Sequence, residues 1–105
     1  MALVFAGCEP FHPQVSIKND LDVDIQNVRY SGCVWNQTLK PGESTEKKDC
    51  LPDEQAVYFD VYDESSEMWL GFKSIRDFAT DWNDETVLSV TDYERDGAAP
   101  GPYGH

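Results

Sequence analysis

The sequence predicts an all-β domain, an antiparallel sandwich of about seven strands. Three features carry that expectation. Apolar and polar residues alternate over short runs, most clearly in AVYFDVYD (56–63). There Val57, Phe59 and Val61 fall on one face and Tyr58, Asp60 and Tyr62 on the other. Turn-forming residues recur about every 8–12 positions. Finally, 105 residues with 40% apolar side chains suffice for one modest core, and no internal repeat is present.

In chain order, QVSIKN (14–19) places Val15 and Ile17 on the inner face. LDVDIQNVRY (21–30) alternates through Leu21, Val23 and Ile25, then resumes at Val28 and Tyr30. The phase slips by one residue at Gln26-Asn27, which predicts a β-bulge. CVWNQTL (33–39) and ESTEKKD (43–49) read as the third and fourth strands, joined through Pro41-Gly42. Proline presets φ at the first corner of a turn and glycine accepts positive φ at the second. After AVYFDVYD comes EMWLGFKS, with Met68, Leu70 and Phe72 in phase, and then TVLSVTD, in which Val87 is out of phase with Leu88 and Val90. One stretch departs from the pattern. In SIRDFATDWND, Ile75, Phe78, Ala79 and Trp82 stand at helical spacing, with Ser74 and Asp77 placed as in a capping box. This predicts a short helix over 75–82, plugging one end of the sandwich. The resulting division is a leader remnant and Pro-broken tether over 1–13, the sandwich over 14–92, and a flexible Gly/Pro-rich tail over 93–105.

Folding residues 33–50 about Pro41-Gly42 sets Cys33 opposite Cys50 at a non-hydrogen-bonded pair, where α-carbons approach closely enough for a disulfide. Pro-Gly favours a type II turn, whereas two-residue hairpins favour types I′ and II′. The segment therefore reads either as a hairpin or as an arch between two sheets, with the cysteines close in both. A bridge closing a loop of about 16 residues contributes ~3 kcal/mol in the chain-entropy model and implies an oxidising compartment.

Charge and motifs narrow the function. Twenty acidic residues against eight basic ones give a net charge of −12. Such a chain repels nucleic acid and anionic lipid headgroups and favours cationic protein partners. No run approaches the roughly 20 apolar residues of a membrane span. The two histidines, His12 and His105, lie in the tether and at the last position, and no nucleotide-binding or nucleophile-elbow motif is present. The expectation is a protein without catalytic residues or cofactor. Asp20, Asp22 and Asp24 read as the solvent face of a half-buried strand rather than a calcium loop, because Ile25 stands where that loop needs glycine. Asp81, Asn83, Asp84 and Glu85 gather oxygen ligands in one loop and form a weak calcium candidate, against the plainer reading of turn chemistry. Cys-x-x-Cys spacing is absent, so no zinc site is expected. Tyr58, Tyr62 and Trp69 share the faces opposite the core on neighbouring runs. They form a candidate partner-binding strip flanked by acids, since Tyr and Trp bring contact area at low entropic cost.

The residues Phe5-Ala6-Gly7-Cys8 resemble a bacterial lipobox, with Phe5 where leucine is commonest. The resemblance implies diacylglycerol on Cys8 and acylation of its amine. Glu9 after the cysteine implies sorting to the outer membrane. It also makes Cys8 the odd cysteine, leaving Cys33 and Cys50 to pair. The strand pattern itself resembles small immunoglobulin-like or transthyretin-like sandwiches, although the immunoglobulin Cys–Trp–Cys spacing is absent. The function expected from these features is a lipid-anchored envelope accessory protein that touches a protein partner on the periplasmic side. The alternatives are an inhibitor or immunity protein for a cationic enzyme such as a lysozyme, and a cytosolic acidic interaction domain.

Overall fold

The structure is a computed structural model, and it describes residues 11–96. Cys8 lies outside the described residues, as does the tail from residue 97 onward. Ten strands form: β1 (Gln14–Asn19), β2 (Gln26–Tyr30), β3 (Cys33–Trp35), β4 (Lys48–Asp49), β5 (Asp53–Gln55), β6 (Tyr58–Asp63), β7 (Met68–Lys73), β8 (Phe78–Thr80), β9 (Glu85–Val90) and β10 (Glu94–Arg95). They make a five-stranded sheet ordered β10-β7-β6-β2-β3, a three-stranded sheet ordered β4-β1-β9, and a two-stranded ribbon β5-β8. The fold is all-β, as the alternation predicts. The pairings are antiparallel except for β1 and β9, which run parallel over six residues from Gln14↔Glu85 to Asn19↔Val90. With almost the whole domain between them, the first and last long strands have ample chain for a crossover.

The core lies between the sheets. Val15, Ile17, Leu88 and Val90 enter it from one side and Val28, Tyr30, Trp35, Val57, Phe59 and Val61 from the other. Val87 points out, 49% exposed, as its phase requires. The bulge also forms. Pairing of β2 with β6 shifts between Gln26 and Arg29, and Asn27 takes a positive φ of 55°, a conformation that asparagine tolerates better than most residues.

Cys33 and Cys50 are bonded, with α-carbons 5.7 Å apart. The connecting segment is the arch, not the hairpin. It leaves the five-stranded sheet after Trp35 and joins the three-stranded one at Lys48, so the bridge ties the two sheets together. At its bend Glu43 N donates to Lys40 O (3.0 Å) and Gly42 has φ 88°, the positive value a type II turn places on glycine.

Three expectations need correction. Residues 75–82 hold no helix. Phe78 and Thr80 are buried and Ala79 is exposed, the period of a strand, and β8 pairs with β5 from Asp53↔Thr80 to Gln55↔Phe78. The helix-capping Ser74 is used elsewhere: its hydroxyl accepts from Val57 N (3.0 Å) and donates to Arg76 O (2.8 Å). Ile75 and Trp82, half of the supposed apolar stripe, are exposed. Tertiary pairing has overridden local periodicity. Second, residues 20–24 are a loop rather than the first half of a strand. The buried Asn19 shapes it, donating to Val23 O (2.8 Å) and Leu39 O (3.0 Å) and accepting from Leu21 N (2.9 Å). Third, the folded unit exceeds 14–92. Pro13 is buried with its carbonyl accepting from Cys50 N (2.9 Å), while β10 pairs with β7 and Tyr93 packs on the core.

Candidate binding site at the end of the five-stranded sheet

The β6–β7 hairpin decides which aromatic residues meet. At its turn, the Asp63 carboxylate accepts from Ser66 N (3.0 Å), the Ser66 hydroxyl (2.6 Å) and the Ser65 hydroxyl (3.2 Å). The Ser66 hydroxyl above all, then its N–H, holds the Asp63 carboxyl below its ordinary range. Glu67 closes the turn at φ 59°, its N–H donating to Asp63 O (2.7 Å). The register that follows is Asp63↔Met68, Tyr62↔Trp69, Val61↔Leu70, Asp60↔Gly71 and Tyr58↔Lys73.

Tyr62 and Trp69 therefore face each other directly. Their rings meet edge to face, centroids 5.5 Å apart at 67°. Tyr62 is 44% exposed and Trp69 partly so. They form one wall of a groove of about 420 Å³ whose other walls include Asp22, Val23, Asp24 and Glu64. None of the described hydrogen bonds or ion pairs involves the carboxylates of Asp22, Asp24 or Glu64.

Tyr58 does not join this site. It lies at the other end of β6, opposite Lys73, with the Arg29 guanidinium 6.0 Å from its ring centroid. Between the two ends sits Asp60, 1% exposed, accepting from Asn27 Nδ2 (3.2 Å) and 3.7 Å from Arg29 Nη2. The alternation of β6 places Asp60 on the outer face with the tyrosines. Its burial instead follows from the bulge, which brings Asn27 and Arg29 over it.

The Asp81–Glu85 loop is a different kind of acidic cluster. Asp81 Oδ1 accepts from Trp82 N (2.8 Å), and Asp84 Oδ2 accepts from Asp81 N (2.7 Å). Asn83, at φ 68°, exchanges two bonds with Phe11: its Oδ1 accepts from Phe11 N (2.8 Å) and its N donates to Phe11 O (2.7 Å). Glu85 pairs with Lys47, which lowers its carboxyl from the ordinary range. Among the described residues no group of three or more His, Cys, Asp or Glu is gathered to hold a metal ion. Turn chemistry accounts for these oxygens. Beside the loop His12 packs on Trp82, centroids 5.2 Å apart, at the rim of a cavity of about 470 Å³ lined by Phe11, Gln14, Asp49 and Asp84.

Tyr62 and Trp69 were legible because both runs alternate cleanly. Asp22 and Asp24 stood out as acids but were assigned to a strand face, and Glu64 carried no signal beyond its turn. Asn19, which shapes the groove's acidic wall, appeared only as a polar residue at a strand end. Comparison of the chain with family models, with curated proteins and with solved structures returns no match.

Proposed function

We propose that the protein is a non-catalytic binding module that contacts a protein partner through the Tyr62–Trp69 groove. The observation carrying this reading is an exposed aromatic pair set in a groove whose carboxylates have no partner within the described fold. Tyr and Trp are enriched among the residues that dominate protein interfaces, and a groove walled by both offers such a contact surface. The lipobox-like FAGC supports a lipid anchor at Cys8 on the periplasmic side of a bacterial envelope, with sorting to the outer membrane. The Cys33–Cys50 bridge supports an oxidising compartment.

Two measurements test the parts separately. Cys8→Ser in the full-length gene is expected to release the protein from membranes, and unchanged fractionation would refute the anchor. Protein isolated from cross-linked envelopes is expected to carry a partner that is lost with Tyr62→Ala or Trp69→Ala and retained with Trp82→Ala. Equal recovery in all three variants would refute the groove.

A second reading is favoured by the net charge of −12: inhibition of a cationic enzyme such as a lysozyme, reached by electrostatic steering. Salt-sensitive inhibition of a basic hydrolase at near-stoichiometric ratio would support it, and undiminished enzyme activity at high molar excess would remove it.

A further inference from the structure

We infer that the Tyr62–Trp69 groove receives the guanidinium of an arginine presented by the protein partner. This inference rests on the binding-module reading and names the chemistry of its contact.

The chain shows how it treats its own cations. Arg29 lies over Tyr58 (6.0 Å to the centroid), Lys48 over Trp35 (6.0 Å), Arg76 over Phe78 (4.9 Å) and Arg95 over Phe72 (5.4 Å). Among the described residues, no Lys or Arg covers Tyr62 or Trp69 and none lines the groove. This is the aromatic pair with acids on the facing walls: Asp22 and Asp24 from the loop held by Asn19, and Glu64 from the hairpin turn. Four carboxylates outside the groove find cations within the chain, in the pairs Lys18–Asp20, Arg29–Asp60, Lys47–Glu85 and Lys73–Glu94, whereas among the described ion pairs the three on the groove walls have none. The groove thus has two of the elements of a cation site, an aromatic surface and carboxylates, with the cation supplied from outside.

Ring geometry and charge together favour arginine. An edge-to-face pair leaves at least one ring face open, and a planar guanidinium stacks on it while its N–H fork reaches carboxylates to the side. An ammonium is a compact, strongly hydrated point charge with no planar surface to stack on the ring, so it gains less from the same groove. Neutral apolar occupants would have to leave three carboxylates facing them, and nucleic acids and anionic lipids are repelled by the same charges.

The test uses the full chain, ¹⁵N-labelled and oxidised, titrated with acetyl-Gly-Arg-Gly-amide, its citrulline counterpart and its lysine counterpart. The arginine peptide is expected to shift the Trp69 indole N–H and the backbone signals of Asp22–Asp24 saturably. Its affinity should fall about threefold or more between 20 and 200 mM salt, as expected for solvent-accessible charges. Trp69→Ala and, separately, the Asp22→Asn/Asp24→Asn pair should each weaken it about tenfold, the latter being exposed sites whose loss does not threaten folding. The Trp35 indole N–H, bonded to Glu46 O (2.8 Å), reports that each variant remains folded. Equal binding of the citrulline peptide, tighter binding of the lysine peptide, or shifts spread over the acidic surface and indifferent to both variants would each overturn the assignment. Failure here with partner recovery still dependent on Tyr62 and Trp69 overturns the guanidinium and leaves the module reading standing. Saturable arginine binding without any such partner does the reverse.

Discussion

Two acid-rich loops of this protein, 20–24 and 81–85, put the same side chains to opposite uses. In 81–85 the oxygens of Asp81, Asn83 and Asp84 accept backbone N–H groups of the loop itself and of Phe11, and Glu85 holds Lys47. The acids there are structural. In 20–24 the shape comes from below, from the buried amide of Asn19, and Asp22 and Asp24 take no part in it. Their charge is left facing the Tyr62–Trp69 groove. A high density of acids does not by itself distinguish a binding surface from a well-made turn. What distinguishes them is whether the local backbone has already claimed the oxygens.

The contrast can be broken most severely at Asn19. Asn19→Ala removes three side-chain hydrogen bonds and strands buried partners, at a cost of about 3 kcal/mol, with the signals of 20–24 broadened. Urea denaturation measures it, and a loss well under 1 kcal/mol would mean the loop shapes itself. The other loop follows β8, which Tyr30 holds: its hydroxyl donates to Phe78 O (2.9 Å) and lies 3.2 Å from Thr80 Oγ1. Tyr30→Phe is expected to cost about 1.5 kcal/mol. Burial raises the Tyr30 pKa above its ordinary value of 10.0. The unfolded chain then ionises first, so this contribution is intact below pH 10 and falls as pH rises from there through the folded-state value. The phenylalanine variant should lack that part of the alkaline limb, which a denaturation series above pH 9 would reveal.

Smaller effects separate the loops directly. Asp84→Ala should cost about 1 kcal/mol because the Asp81 N–H loses its acceptor, whereas Asp22→Asn with Asp24→Asn should stay within about 0.5 kcal/mol of wild type. Equal losses would erase the distinction between structural and free acids. The smallest effect is at the hairpin turn. The folded Asp63 pKa lies below 3.8, so its contribution is present above that pH and is lost as pH falls through the folded value. Asp63→Asn should flatten that part of the acid limb, and an unchanged limb would show that the turn does not depend on the carboxylate.

Much of the sandwich was legible because strand alternation is a local signal. Val15 and Ile17, the phase slip at Gln26-Asn27, the run through Phe59 and Val61, and the outward Val87 all stand as their periods require. Pro41-Gly42 announced its type II turn, and only the sheet order could decide between hairpin and arch. β8 was hidden because Phe78 and Thr80 owe their strand to β5 and to the Tyr30 hydroxyl, some 25 and 50 positions away. The site divides likewise. Tyr62 and Trp69 follow from two alternating runs and one hairpin. Tyr58 was grouped with them because β6 was read as uniformly exposed on that face, and a bulge in β2 buries Asp60 between them. The acidic walls come from loops whose meeting depends on the whole fold.

The central claim is that the partner meets the Tyr62–Trp69 end and not the Trp82 loop, although Tyr62 and Trp82 are almost equally exposed, at 44% and 43%. The most direct measurement places the photoreactive residue p-benzoylphenylalanine at position 62 or at position 82 of the full-length protein and irradiates intact cells. The account predicts a discrete protein adduct from position 62, abolished by Asp22→Asn with Asp24→Asn, and none from position 82. Adducts from position 82 alone, or equally from both, would contradict it.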